Sequence, residues 1–270
     1  MVGAHCTEGG RFQPVIWLAA TLLLGLLAAA PAFAAQVPPP SAQWTLLESR
    51  IERDYFQQDA AGLVALGATL SSGDGPVQGN AQAEWGSYYE ALLAYRLALL
   101  TKDNEVQAWP FTQRCVERLN EALGLDPGSA EALALQSACL ALQSHLDPWR
   151  SPLAAPLSLD RINKALKLAP QNPRVLLLGA VGADERPKLF GGDSQEAFTL
   201  LERSVSAFEA QGARGRGLPG WGAADAFTSL ARDYLTRGNA LAARNVLERA
   251  LLVAPNFAQA RQLMAEIVSG

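Results

Sequence analysis

The sequence predicts an all-α solenoid of about five antiparallel helix hairpins closed by a C-terminal capping helix, and three observations predict it. First, 48 alanines and 43 leucines dominate the 270 residues, and these side chains lose little conformational freedom on entering a helix. Second, one helix ending recurs: Ala122-Leu123, Ala165-Leu166 and Ala250-Leu251 are followed, after three intervening residues, by Pro127, Pro170 and Pro255 respectively. Proline lacks the N–H and clashes with the preceding turn, so each pattern closes a helix. Third, these prolines lie about one or two multiples of forty residues apart, a period typical of stacked supersecondary units. Charged residues make up 18% and aromatics 7%, a balance that buries a core and excludes disordered or collagen-like chains.

Residues 1–34 read as a secretory signal. Arg11 precedes the apolar run Val15 to Ala30, and the small residues around Phe33 supply a cleavage point after Ala34. An uncleaved inner-membrane anchor through residues 15–35 is the competing expectation, because about 20 apolar residues span a bilayer. Cys6 lies ahead of the apolar run, so it is not placed to carry a lipid. Residues 35–41, with Val37-Pro38-Pro39-Pro40, form a stiff proline-rich linker. Export implies an oxidising compartment, in which Cys115 and Cys139 either pair or stay as two small buried apolar side chains.

The remaining elements follow in order. Residues 42–80 hold an N-terminal hairpin, with helices over Trp44 to Tyr55 and Asp59 to Leu70 before the Gly-rich stretch Ser71 to Gly79. Residues 81–270 are the repeat domain. Its first unit opens with Trp85, Tyr88, Tyr89 and Leu92 and ends at Pro127, with fourteen residues more than a compact hairpin needs. The next runs from Ser129, a helix N-cap, to Pro170, with about nine extra residues around Pro148 to Pro152. A third opens on Asn172-Pro173, a cap followed by proline in the first helical position, and closes with a helix from Asp193 to about Ala210. The spacing from Asp193 to Glu196 is that of a capping box. A last helix, from an Asn256 cap to Val268, covers the apolar end that a stack would leave in water.

The final hairpin carries the most detail. Phe227, Leu230, Ala231 and Tyr234 share one helix face, Gly238-Asn239 turns the chain, and Ala243, Leu247 and Ala250 face back from a second helix ahead of Pro255. This pattern resembles the tetratricopeptide repeat, a helix-turn-helix of 34 residues. The long loop pattern Pro187-Lys188-Leu189-Phe190-Gly191-Gly192-Asp193, with Trp221-Gly222 later, is similar to one in exported bacterial proteins of this repeat type. There is a fainter likeness to the repeat component of tripartite periplasmic transporters. The resemblance implies that the first helix of each pair lines a concave face, onto which Glu131, Arg174, Leu177, Asp225, Thr228 and Arg232 would look.

Candidate chemistry is sparse. Net charge is −4 with no basic block, so nucleic acid is not an expected partner. Gly215 to Gly220 fits G-x-G-x-x-G, but a helix precedes it and Pro219 interrupts it, whereas a dinucleotide site needs a strand before and a helix within. That loop, with Arg216 and Trp221, is instead a candidate contact edge. His145 stands six residues from Cys139 on a predicted helix, about 120° round it, which separates a nucleophile from its base. Asp184-Glu185 and Asp225 have no spacing that fixes two carboxylates together. Trp149 and Phe190, aromatic side chains in inserted loops, are contact candidates. The expectation is a non-catalytic scaffold for a protein or peptide partner in the bacterial periplasm. No cofactor is expected, and membrane contact comes only through an uncleaved N-terminal segment. The alternative is a small-solute-binding or transporter-associated accessory whose inter-repeat insertions form a pocket.

Overall fold

A computed structural model describes residues 40–71, 80–150, 152–212 and 219–269, all within the unit Pro38–Gly270. The signal, most of the linker and Arg216 lie outside the described residues. Eleven α-helices are described, and no strand: α1 Pro40–Phe56, α2 Ala60–Ser71, α3 Asn80–Thr101, α4 Glu105–Leu125, α5 Ala130–Leu146, α6 Ala154–Leu168, α7 Pro173–Glu185, α8 Ser194–Gly212, α9 Ala223–Thr236, α10 Ala240–Val253 and α11 Ala258–Ser269. Consecutive helices pack in pairs, each pair stacks on the next, and α11 covers α10. This is an all-α solenoid.

Local chemistry sets the helix starts. The side chains of Asn104, Ser129, Asn172, Asp193 and Asn239 each accept a hydrogen bond from a backbone N–H in the first turn of the helix that follows, satisfying donors that have no partner within the helix. Asp59 does the same for α2 through the Gly62 N–H, at 2.8 Å.

Inner and outer helices differ in burial. Along α5 every residue from Ala132 to Ser144 is buried, and α7 is buried from Pro173 to Gly179 without a break. The outer helices bury one stripe: Ala155, Ser158, Ile162 and Ala165 on α6, and Ala243, Val246, Leu247 and Ala250 on α10. Cys115 on α4 and Cys139 on α5 form a disulfide with their Cα atoms 6.3 Å apart, which pins the first repeat to the second.

Three details differ from the sequence reading. The fourteen extra residues of the first repeat lengthen its helices, since α3 has 22 residues and α4 has 21. The last helix starts at Ala258 rather than on an Asn256 cap, because Phe257 is drawn into the core, 4.4 Å from the Phe56 ring centre and 6.0 Å from that of Tyr55. The Pro187 to Asp193 loop holds a short 3-10 turn, Lys188–Phe190, and then folds back on α7. There the Asp193 N–H donates to the Ala183 carbonyl at 2.9 Å, and a Cβ on Gly192 would lie 1.9 Å from the Arg186 carbonyl oxygen. Only glycine fits that approach.

Two outcomes follow for stability. Ala243 and Ala231 are both fully buried on the facing helices α10 and α9, so Ala243→Phe should overpack this crossing and cost about 1–3 kcal/mol in urea unfolding. An unchanged midpoint would contradict the packing. Replacing both Cys115 and Cys139 by alanine should cost roughly 2–4 kcal/mol, because the bond closes a loop of 24 residues in the unfolded chain.

Candidate functional site

The site is built on α1. Trp44, Leu47, Glu48, Ile51, Glu52 and Tyr55 recur at three- and four-residue spacing and are all buried, so one face of α1 is covered along its length. What covers it comes from distant parts of the chain: Tyr89 and Arg96 on α3, Gly220 and Asp225 beside and on α9, and Phe257 ahead of α11. The stack therefore curls until its first and last repeats meet α1, which fills the concave side.

Arg96 is the centre of this closure. Its side chain is 2% exposed. Nε and Nη2 donate to Glu52 at 2.8–3.0 Å, while Nη1 and Nη2 donate to the two oxygens of Asp225, both at 2.8 Å. The guanidinium also lies 4.1 Å from the Tyr55 ring centre and 5.1 Å from that of Trp221, a favourable setting for a desolvated cation. Burial works against the charge on Arg96, but Asp225 and Glu52 overcome it and hold the group well above its ordinary value. Burial pushes Glu52 up to about 8; Arg96 opposes that shift and Asp225 adds to it.

A second polar chain runs alongside. Glu48 accepts from the Tyr89 hydroxyl at 2.8 Å and from the Gly220 N–H at 3.0 Å. Trp221 Nε1 donates to the Tyr88 hydroxyl at 3.0 Å, and Tyr88 donates to Glu131 at 3.4 Å. Glu131 also accepts from Arg174 Nε at 2.8 Å and from Asn172 at 2.7 Å. Gly222 follows at φ +101°, where a Cβ would meet Phe208 at 3.1 Å, so the chain enters α9 in a conformation that favours glycine.

Between α3, α7, α9, the end of α1 and Phe257 remains a cavity of about 300 Å³. Of the sequence candidates, Leu177, Trp221, Asp225, Thr228 and Arg232 line it. Glu131 and Arg174 do not; they form a buried ion pair behind Trp221. Trp149 stands 92% exposed at the turn before α6, and Phe190 ends the 3-10 turn. His145 lies in the last turn of α5, with Nδ1 3.3 Å from Glu185. Cys139, the thiol nearest it in the helix, is bonded to Cys115. Lys102 also reaches Glu185, at 3.6 Å. Burial, then neighbouring Asp184, raises the Asp233 carboxyl above its ordinary value. Among the described residues no three His, Cys, Asp or Glu side chains converge as a metal site. No described helix is long and apolar enough to cross a membrane.

Sequence reasoning missed Glu48, Glu52, Tyr55, Tyr95 and Arg96. A signal existed: Glu48 and Glu52 interrupt the apolar stripe of α1, and Arg96 interrupts the run Leu92 to Leu100. Charges at core positions mark either a mistaken face or a buried pair. Neither a protein-family model nor a curated protein matches the chain.

The titration of Glu52 has a definite sign. Its folded-state value lies above the ordinary 4.5, so the folded chain holds a proton that the unfolded chain has lost. The stability this contributes is full below about pH 4.5 and is lost as pH rises towards about 8. Glu52→Gln, which imitates the protonated side chain, should flatten the fall in melting temperature between pH 5 and 8. By contrast, Arg96→Met strands the buried Asp225 carboxylate, leaves Glu52 without its donors, and should cost about 3–5 kcal/mol at neutral pH. A loss below about 1 kcal/mol would mean that the closure does not depend on this group.

Proposed function

We propose that the protein is a non-catalytic binding protein of tetratricopeptide-like type, exported to the periplasm of a bacterium, that holds a small solute in its inner cavity. The observation that carries this reading is the filled concave side: α1 occupies it through Glu48, Glu52 and Tyr55, and a partly open cavity of about 300 Å³ remains beside it. That size is at the lower end of small-molecule pockets, and its lining sets aromatic walls against many charged and hydroxyl groups. The repeat type draws support from Ala231, Ala243, Leu247 and Ala250, each fully buried where the tetratricopeptide pattern puts its packing residues.

A second reading, contact with a protein or peptide partner, draws on Trp149. A tryptophan 92% exposed at a loop tip, next to Arg150, which stacks 4.4 Å from the Trp109 ring centre, combines residue types enriched at protein interfaces.

The test is thermal unfolding of the full chain with a periplasmic extract limited to small molecules. Stabilisation is expected for the native chain, with none for Ser229→Phe, which fills the cavity from a partly exposed lining position. No stabilisation of either would sink the solute reading. In-cell crosslinking that captures a protein from the native chain but not from Trp149→Ser would favour the second.

A further inference from the structure

The helix that fills the concave side is tied to it by bonds that run one way. Tyr89 donates to Glu48, the Gly220 N–H donates to the same carboxylate, and Arg96 donates to Glu52. Trp44 stacks on Tyr89 with ring centres 5.5 Å apart, and Phe56 meets Phe257 at 4.4 Å. The groove therefore matches α1 in charge and register, and it is satisfied equally by an α1 from either of two chains.

The turn that brings α1 into its own groove is strained. Gln58 has φ +58°, and among the described residues it is the one non-glycine with a positive φ. The same turn joins α9 to α10, where the Asn239 N–H donates to the Tyr234 carbonyl at 2.8 Å and Gly238 takes the left-handed position at φ +75°. Between α1 and α2 the matching bond runs from the Asp59 N–H to the Asp54 carbonyl, also at 2.8 Å, but a glutamine carries the positive φ. A Cβ in that conformation crowds the neighbouring carbonyl, a cost that glycine escapes. Straightening the turn releases it. No glycine or proline occurs from Ser41 to Ala61, and glutamine and alanine favour helix, so α1 can run on into α2 as one helix. Short hinges under strain favour exchange of an element between copies. We propose that two copies of the chain exchange α1, each N-terminal helix seating in the other's groove, where it brings Glu52 to the second copy's Arg96 and Tyr55 to its cavity. This stands without the solute reading, since the same residue types line the cavity in either form.

The test is size-exclusion chromatography with light scattering of the full chain at up to about 1 mM, the range in which a second copy competes with a helix tethered nearby. A dimer should build up with concentration. Gln58→Gly, which relieves the turn and disfavours the straight helix, should raise the dimer dissociation constant about tenfold or more, because each dimer opens two turns. A mixture of isotopically heavy and normal copies, with a photocrosslinker in place of Phe56, should link α1 of one copy to the segment around Phe257 of the other. A monomer at every concentration would overturn the proposal. So would a dimer indifferent to Gln58→Gly, one that Trp149→Ser disperses, or crosslinks confined within single copies of the isolated dimer.

Discussion

Everything on the concave side depends on a single buried guanidinium. Arg96 reaches Glu52 on α1 and Asp225 on α9, residues 44 and 129 positions away in the chain. Its two opposite faces of contact tie the first repeat, the fourth repeat and the N-terminal helix to one point. Buried ion pairs add little net stability compared with apolar packing of similar volume, and what they best supply is a unique arrangement. That is the role here. An apolar contact between α1 and the stack would tolerate sliding by a turn, whereas a guanidinium shared by two carboxylates admits one register.

The same closure explains the polar character of the neighbourhood. Glu48, Tyr88, Tyr89, Glu131 and Arg174 are held in a hydrogen-bonded chain that spans α1, α3, α5 and α7 and clasps the short segment from Gly220 to Gly222. A solenoid usually offers its inner face to solvent or to a partner. Here that face is spent on the chain's own first helix, and the exposed apolar side chains lie elsewhere, Trp149 and Leu189 among them. The inner space that survives is small and polar.

Much of the fold was legible in the sequence because its determinants are local. Ser129, Asn172 and Asp193 cap helices where their residue types and spacing said they would, Asn239, read as part of a turn, also caps α10, and Pro127, Pro170 and Pro255 follow the ends of α4, α6 and α10. The site was less legible. The repeat pattern singled out Leu177, Asp225, Thr228 and Arg232, and the Gly-rich loop singled out Trp221, but the closure they join was not legible, since nothing at Asp225 announces a partner in α3. The surplus of the first repeat had no assigned structure because a fixed repeat length hides helix extension; Leu97 and Leu99 continue the same helical run as Leu92. Whether Cys115 meets Cys139 depends on how two helices cross, a distance that no local pattern contains.

Stacked repeats ordinarily fold and melt almost independently, each unit answering only to its neighbours. The bond from the Gly220 N–H to Glu48 spans 172 positions, and with Arg96 it converts this open row into a ring. Helix α1 then finds its full seat only once α9 is in place, because that seat includes Gly220 and, through Arg96, Asp225. Long-range closure of this kind slows folding, and it makes the loss of any one repeat a loss felt by all the others.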